Sequence, residues 1–267
     1  MIAALAREYG FDDARFAPWD SGSVLVLFSA YRPAQIAGGD RIYVSAYYIA
    51  SNRAYENAGL LAEKLNGMGI AAKRDSSLPA KKIALLTGGC IGKNGFYYHP
   101  ELGSLVHIQT IALAAPYEGE AAEPKICADC GRCAQACPAG AITEEGVDYT
   151  RCVRNHMNGR IPDDLKPFVY QLYGCEKCQT ACPKNTVLGG DGCSFDLKET
   201  VQGLSLPEIQ KLAGKNMARF MRTVNQSILI AANAGNTAVR QSVEALSGDQ
   251  RFEDACRYYR EKTGKKD

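Results

Sequence analysis

The stretch Cys127-Ala128-Asp129-Cys130-Gly131-Arg132-Cys133-Ala134-Gln135-Ala136-Cys137-Pro138 decides how this chain is read. Its four cysteines stand at 2-2-3 spacing and close on a proline. A second run, Cys175-x2-Cys178-x3-Cys182-Pro183, has the same shape with one ligand fewer, because Leu172 occupies the position three before Cys175. Short loops of this kind let several thiolates converge on a small volume, and this spacing is that of [4Fe–4S] ligation. C-x2-C pairs also bind zinc, so two zinc sites are the competing reading. Two clusters need eight thiolates and the runs supply seven. Cys152, between them in sequence, is the natural eighth.

In two-cluster bacterial ferredoxins three cysteines of such a run bind one cluster and the fourth binds the other. Applied here, that crossover assigns Cys127, Cys130, Cys133 and Cys182 to one cluster. Cys137, Cys152, Cys175 and Cys178 then hold the second. Cys90, Cys193 and Cys256 fall outside the count and read as buried free thiols, the usual state of such residues.

The rest of the composition is ordinary. The 267 residues are 46% hydrophobic and 22% charged, which suits one large or two modest globular domains and excludes a disordered chain. Thirty-one basic against 29 acidic side chains leave a net charge of +2, so overall charge exerts no strong pull toward nucleic acid or membrane. No apolar run approaches the roughly 20 residues a bilayer span needs. The start, MIAALAREYGF, is no signal peptide, because Arg7 and Glu8 interrupt it. The expectation is a soluble, cytoplasmic protein with no membrane partner. In such a reducing compartment, clustered thiols are metal ligands more often than disulfides.

Outward from the cysteines, residues 1–10 predict a short helix ending at Gly10. Val24–Phe28 predicts a buried strand. Tyr47–Asn66 predicts a helix with Leu60, Leu61 and Leu65 at helical spacing, stopped by Gly67 and Gly69. Residues 70–73 suggest a strand and 80–86 a helix. A glycine-rich segment, 88–95, precedes Leu105–Leu113, which predicts the longest strand. Residues 1–120 therefore form a mixed α/β domain of an α+β protein, with a polar linker at 118–126. Residues 121–192 form the cysteine domain. The helical segment 193–267 reads as helix throughout 206–262, with Pro207 in its first turn.

The string Gly89-Cys90-Ile91-Gly92-Lys93-Asn94-Gly95, followed by His99-Pro100-Glu101-Leu102-Gly103-Ser104, resembles a segment that lies just upstream of the cysteine runs in epoxyqueuosine reductases. Tyr149-Thr150-Arg151-Cys152, Ile161-Pro162, Tyr173-Gly174-Cys175 and Asn225 through Asn236 also resemble that family. The resemblance spans about 24–240 and is most specific at 88–185. It implies a nitroreductase-like α/β domain, a bacterial-ferredoxin-like double-cluster domain and a short helical tail, with cobalamin held between the first two. Members reduce the epoxide of epoxyqueuosine in tRNA to the alkene of queuosine. Electrons pass singly from the clusters to cobalt, and a carboxylic acid protonates the departing oxygen. The matching acid is Asp75, in Asp75-Ser76-Ser77-Leu78-Pro79, with a pKa raised by partial burial; a cap before Pro79 is its alternative role. Gly92, Lys93 and Asn94 would contact the corrinoid, Lys93 reaching its amide or phosphate oxygens. Reduced flavodoxin or ferredoxin is the implied electron donor.

Three departures keep a second reading open. Only a few residues separate Phe16-Ala17-Pro18 from Val24, where the family has several tens. The family's G-x-D-Y-H stretch appears as Ser51-Asn52-Arg53-Ala54-Tyr55-Glu56-Asn57, without its Asp and His, and Lys184 replaces a tryptophan. An open cofactor face suits an electron-transfer protein that reduces a corrinoid-protein partner. A third reading is a sensing or binding role for a double-cluster domain on a degenerate platform. From Ile209 to Val243 there are basic residues and no acidic ones, and Lys211, Lys215, Arg219 and Arg222 are spaced as one helical stripe. Such a stripe is either a solvated face or a surface for an anionic partner such as RNA.

Overall fold

A computed structural model describes residues 1–20, 22–34, 36, 39–117, 119, 127–185, 190 and 193–264. The expected linker, 118–126, lies outside them except for Gly119. Along the chain come α1 (Ile2–Glu8), β1 (Asp13–Trp19), β2 (Gly22–Ala30), β3 (Arg41–Tyr43), α2 (Ala46–Gly67), β4 (Ala72–Arg74) and α3 (Ala80–Leu85). Then follow β5 (Cys90–Ile91), β6 (Tyr97–Tyr98), β7 (Val106–Leu113), α4 (Arg132–Gln135), α5 (Val153–His156) and α6 (Lys177–Thr180). The last elements are β8 (Ser194–Asp196), α7 (Leu197–Val201), α8 (Leu206–Ala213), α9 (Phe220–Asn233), α10 (Arg240–Glu244) and α11 (Glu253–Thr263). No helix among the described residues is long and apolar enough to cross a membrane.

The chain divides into two compact units, neither continuous in sequence. The first comprises Met1–Tyr31, Ala50–Cys133 and Ala181–Thr186; the second comprises Arg32–Ile49, Ala134–Thr180 and Val187–Asp267.

The first unit is built on an antiparallel sheet of order β1-β2-β7-β4. Its centre is β2, where Val24 to Phe28 are all buried, because the alternation of a strand sends successive side chains to opposite faces and both faces are covered. Leu25 and Leu27 pack with Ile111 and Leu113 against Ala54, Ala58, Leu61 and Leu65 of α2. Val24, Val26 and Phe28 face Ile83 and Ala84 of α3, with Tyr97. The α2 residues recur at intervals of four, three and four, which makes one apolar stripe. Leu60 falls off that stripe and is 54% exposed. The longest strand is β2, not the expected 105–113 segment. Sequence patterning misses β1, because Pro18 argues against a strand; as an edge strand, β1 tolerates the lost N–H.

The second unit is helical around α9. Val224, Ile228, Leu229 and Ala231 of α9 pack with Val169, Leu172, Tyr173, Val201, Phe252 and Tyr259. A short antiparallel pair, β3 with β8, adds Ile42 and Phe195 to this core. The segment 206–262, read as helical throughout, consists of four helices joined by turns. Gly214 ends α8 at φ +82°, a backbone conformation that favours glycine. The single basic stripe disappears with it. Lys211 lies on α8, Lys215 lies in the turn, and Arg219 caps α9 at its N-terminus. The Arg222 guanidinium folds back onto the carbonyls of Met217 and Asn158 at 2.7 and 3.1 Å.

Candidate metal centre

The eight thiols of the two runs and Cys152 fall four to each unit. Cys127 and Cys130, on the loop entering α4, and Cys133, within it, lie in the first unit, and Cys182 joins them through the segment 181–186. Asn185 ties that segment down. Its Oδ1 accepts the Ser104 N–H at 2.7 Å, its Nδ2 donates to Ser104 Oγ at 2.9 Å, and its own N–H bonds Cys182 O at 3.0 Å. Cys90, on β5, accepts a hydrogen bond from the Cys127 backbone, and burial pushes its thiol up. It is thus half-buried and engaged beside a motif cysteine, not sealed in the core.

Cys137, Cys152, Cys175 and Cys178 lie in the second unit. Cys137 Sγ accepts the Ala141 N–H at 3.2 Å, and Cys152 sits at the N-terminus of α5. Burial pushes the Cys175 thiol up, while the Lys177 backbone N–H and the Tyr170 hydroxyl stabilise its thiolate; Cys152 and Cys137 stand close enough to oppose its ionisation. The loop before Cys175 is fixed from α9. Gln226 Oε1 accepts the Tyr173 N–H at 2.7 Å, and its Nε2 donates to Met157 O at 2.8 Å. Asn233 Nδ2 holds the carbonyls of Lys166 and Val169, both at 2.8 Å. These bonds hold Tyr173 at φ +69°, rare for a bulky residue, so that Gly174 delivers Cys175. Glu176 is a buried carboxylate satisfied by Ser45 Oγ at 2.7 Å, the Tyr47 N–H at 3.3 Å and Gln171 Nε2 at 3.2 Å.

Among the described residues, no three Cys, His, Asp or Glu side chains gather tightly enough to hold one metal ion. Cys193 is half-buried, and Cys256 is a buried core thiol donating to Val243 O at 3.6 Å.

The glycine-loop residues have partners within the first unit. Lys93 Nζ pairs with Asp129 at 3.1 Å. Asn94 is buried, donating to Tyr98 OH at 3.2 Å and accepting the Phe96 N–H at 3.2 Å. Gly92 leaves room for the Tyr98 ring, which a Cβ would strike. Asp75 lies half-buried after β4. It accepts the Ser77 hydroxyl at 2.6 Å and the Ser77 N–H at 2.9 Å, and these bonds hold its carboxyl below the usual range. Its pKa is thus lowered where a raised one was expected, and the cap of α3 is Pro79, not Asp75.

A cleft of about 780 Å³ in the second unit is lined by Arg160, Arg219, Phe220, Arg222 and Arg251, with Lys166. Several of these charges are already neutralised. Lys166 pairs with Asp163 at 2.6 Å and Asp254 at 2.8 Å, and Arg251 with Asp249 at 2.6 Å.

Residues 126–185 match the 4Fe-4S double cluster binding domain. Curated relatives named epoxyqueuosine reductase include those of Bacillus subtilis, 34% identical over 101 residues, and Burkholderia pseudomallei, 28% identical over 205 residues. The first alignment covers 36% of this chain and 26% of the relative; the second covers 67% and 50%. The chain thus spans about half or less of the curated relatives it matches. Among solved structures, a Bacillus subtilis epoxyqueuosine reductase whose catalytic aspartate loop is swung out of the active site superposes with a TM-score of 0.78 at 18% identity. That match covers 98% of this chain and 89% of the other. An epoxyqueuosine reductase with a modified tRNA stem loop gives 0.76 at 19%, with the same coverage. The chain carries a 4Fe-4S double cluster binding domain, and it resembles the epoxyqueuosine reductases in sequence across that domain and in fold along nearly its whole length.

Proposed function

We propose that this protein is an iron–sulfur oxidoreductase of the epoxyqueuosine-reductase type. One [4Fe–4S] cluster would be held by Cys127, Cys130, Cys133 and Cys182, the other by Cys137, Cys152, Cys175 and Cys178. The observation that carries this reading is the fall of these eight thiols four to each compact unit, along the lines of the ferredoxin crossover. The donor set fits the group: eight free thiols, with backbone N–H groups directed at Cys137 and Cys175. Bound clusters supply one-electron transfer. Backbone N–H groups at Cys137 and Cys175 would stabilise the thiolates.

The finer reading places a corrinoid downstream of the clusters and the epoxide of a tRNA nucleoside as substrate, with reduced flavodoxin or ferredoxin as donor. Its support is the family resemblance. Lys93, Asn94 and Gly92 do not fit the corrinoid contacts expected of them, since Asp129 and Tyr98 already engage them. That commitment favours the second reading, in which the chain reduces the corrinoid of a partner protein. Asp75 is proposed as the proton donor once its loop leaves the turn with Ser77, a movement suggested by the swung-out loop of the Bacillus subtilis structure.

The test is anaerobic reconstitution followed by addition of cobalamin and an epoxyqueuosine-bearing stem loop. About eight iron per chain is expected. Asp75→Asn should keep that iron while turnover falls at least about ten-fold, general-acid catalysis contributing about 10²–10⁴. Reduction of a partner's corrinoid without affinity for free cobalamin would select the second reading. Protein binding zinc but no iron would overturn both.

A further inference from the structure

The cleft in the second unit carries positive charge that the fold leaves unspent. Of the cations lining it, Lys166 is held by Asp163 and Asp254, and Arg251 by Asp249. Arg160 reaches Asp254 only at 3.7 Å, and that carboxylate is already engaged by Lys166 at 2.8 Å and Arg257 at 2.6 Å. Among the described residues, no carboxylate pairs with Arg219 or Arg222. Both line the cleft, three positions apart at the start of α9. Arg222 Nη1 donates to the carbonyls of Asn216 at 3.1 Å and Met217 at 2.7 Å, and Nη2 donates to that of Asn158 at 3.1 Å. A guanidinium has five N–H groups. These bonds leave the Nε–H and one Nη2–H, a fork that matches two oxygens of a phosphate. Phe220 and Met221 also line the cleft and are 40% and 46% exposed.

We propose that this cleft binds a nucleoside phosphate, with Arg219 and Arg222 on the phosphate and Phe220 and Met221 against the base. Two neighbouring guanidinium groups without a carboxylate repel each other, and a bound anion relieves that repulsion. A flat base offers its face to an aromatic ring, and such stacking contributes whatever the base. The volume, about 780 Å³, falls in the range of about 300–1,000 Å³ that holds small molecules. A nucleic-acid strand fits less well. It needs a positive track along several phosphates, and Lys211 and Lys215, the cations that precede Arg219 in the chain, do not line the cleft. Gln226, which does line it, bonds the Tyr173 N–H ahead of Cys175, so the site backs onto the second cysteine set. Nothing in the site depends on which metal those cysteines hold.

The experiment is isothermal titration calorimetry of the full chain, with a denaturation midpoint measured for every variant. The titrants are the four ribonucleoside 5′-monophosphates, their nucleosides, inorganic phosphate and an RNA stem loop. At least one nucleotide should bind, at least about ten-fold more tightly than its nucleoside or inorganic phosphate. Arg219→Gln, at a side chain that holds no hydrogen bond among the described residues, should weaken that binding about ten-fold or more. Arg222→Lys keeps the charge and loses the fork, so it should weaken binding as well. Phe220→Leu should weaken it about ten-fold through lost stacking. Lys215→Gln, the same change of charge outside the cleft, should leave it in place. A folded chain that binds none of the four nucleotides would overturn the proposal. So would nucleotide binding that survives both Arg219→Gln and Arg222→Lys, or inorganic phosphate bound as tightly as any nucleotide. A stem loop held through Arg219 by a chain with no affinity for mononucleotides would overturn it in favour of a nucleic-acid surface.

Discussion

The two units hold the same kind of cysteine run by different means. In the first, Cys127 and Cys130 precede α4 and Cys133 lies in it, with Cys130 exposed, and the long-range anchor is Asn185 on Ser104. In the second, the segment before Cys175 is clamped by side chains of a 14-residue helix, the buried Gln226 and Asn233 at the helix end each bonding two backbone groups. A motif alone does not say how rigidly its metal is held. The second set is built into a hydrophobic core, where polar groups left unpaired are costly. The first leans on a sheet through a few polar ties.

Removing one ligand from each set tests the comparison most severely. Cys152→Ala and Cys130→Ala should each drop the iron count from about eight to about four per chain, with a different EPR signal surviving in each. Retention of both clusters in Cys152→Ala, together with loss of one in Cys193→Ala, would reassign the eighth ligand.

Gln226→Leu sharpens it by attacking the clamp. The variant leaves the buried Tyr173 N–H and Met157 C=O without partners, at about 1–3 kcal/mol each. Chemical denaturation should register that loss, and the second set should lose iron before the first. Unchanged stability would mean that water or a local shift satisfies both groups.

The smallest expected effect belongs to the first unit. Asp13 accepts from His99 Nε2 at 2.9 Å and Arg15 Nε at 2.7 Å; the His99 bond is the larger cause of its lowered pKa. A carboxyl whose folded pKa lies below its unfolded value contributes stability above the unfolded value, about 3.9, and loses it as pH falls through the folded one. Asp13→Asn should therefore be less stable than wild type at neutral pH, and the gap should narrow below about pH 4. Fluorescence of Trp19, the one tryptophan, on the same strand, can follow the unfolding. A pH-independent gap would assign the effect to packing.

What the sequence by itself determined is local. Cluster ligation depends on loops of two and three residues, so the cysteine runs are legible from spacing. The strand through Val24–Phe28 and the helix at Ala46–Gly67 follow from apolar patterning over a few turns of chain. Gly214 was a readable stop, passed over in favour of the basic spacing across it. The tertiary structure alone decided what depends on distant residues. It placed Cys182 in one unit with cysteines some fifty residues earlier, spent Lys93 on Asp129 and tied Asp75 into a turn with Ser77. Hydrogen bonds and ion pairs across such separations carry no periodicity that a sequence can display. They arise only when packing brings the partners within about 3 Å.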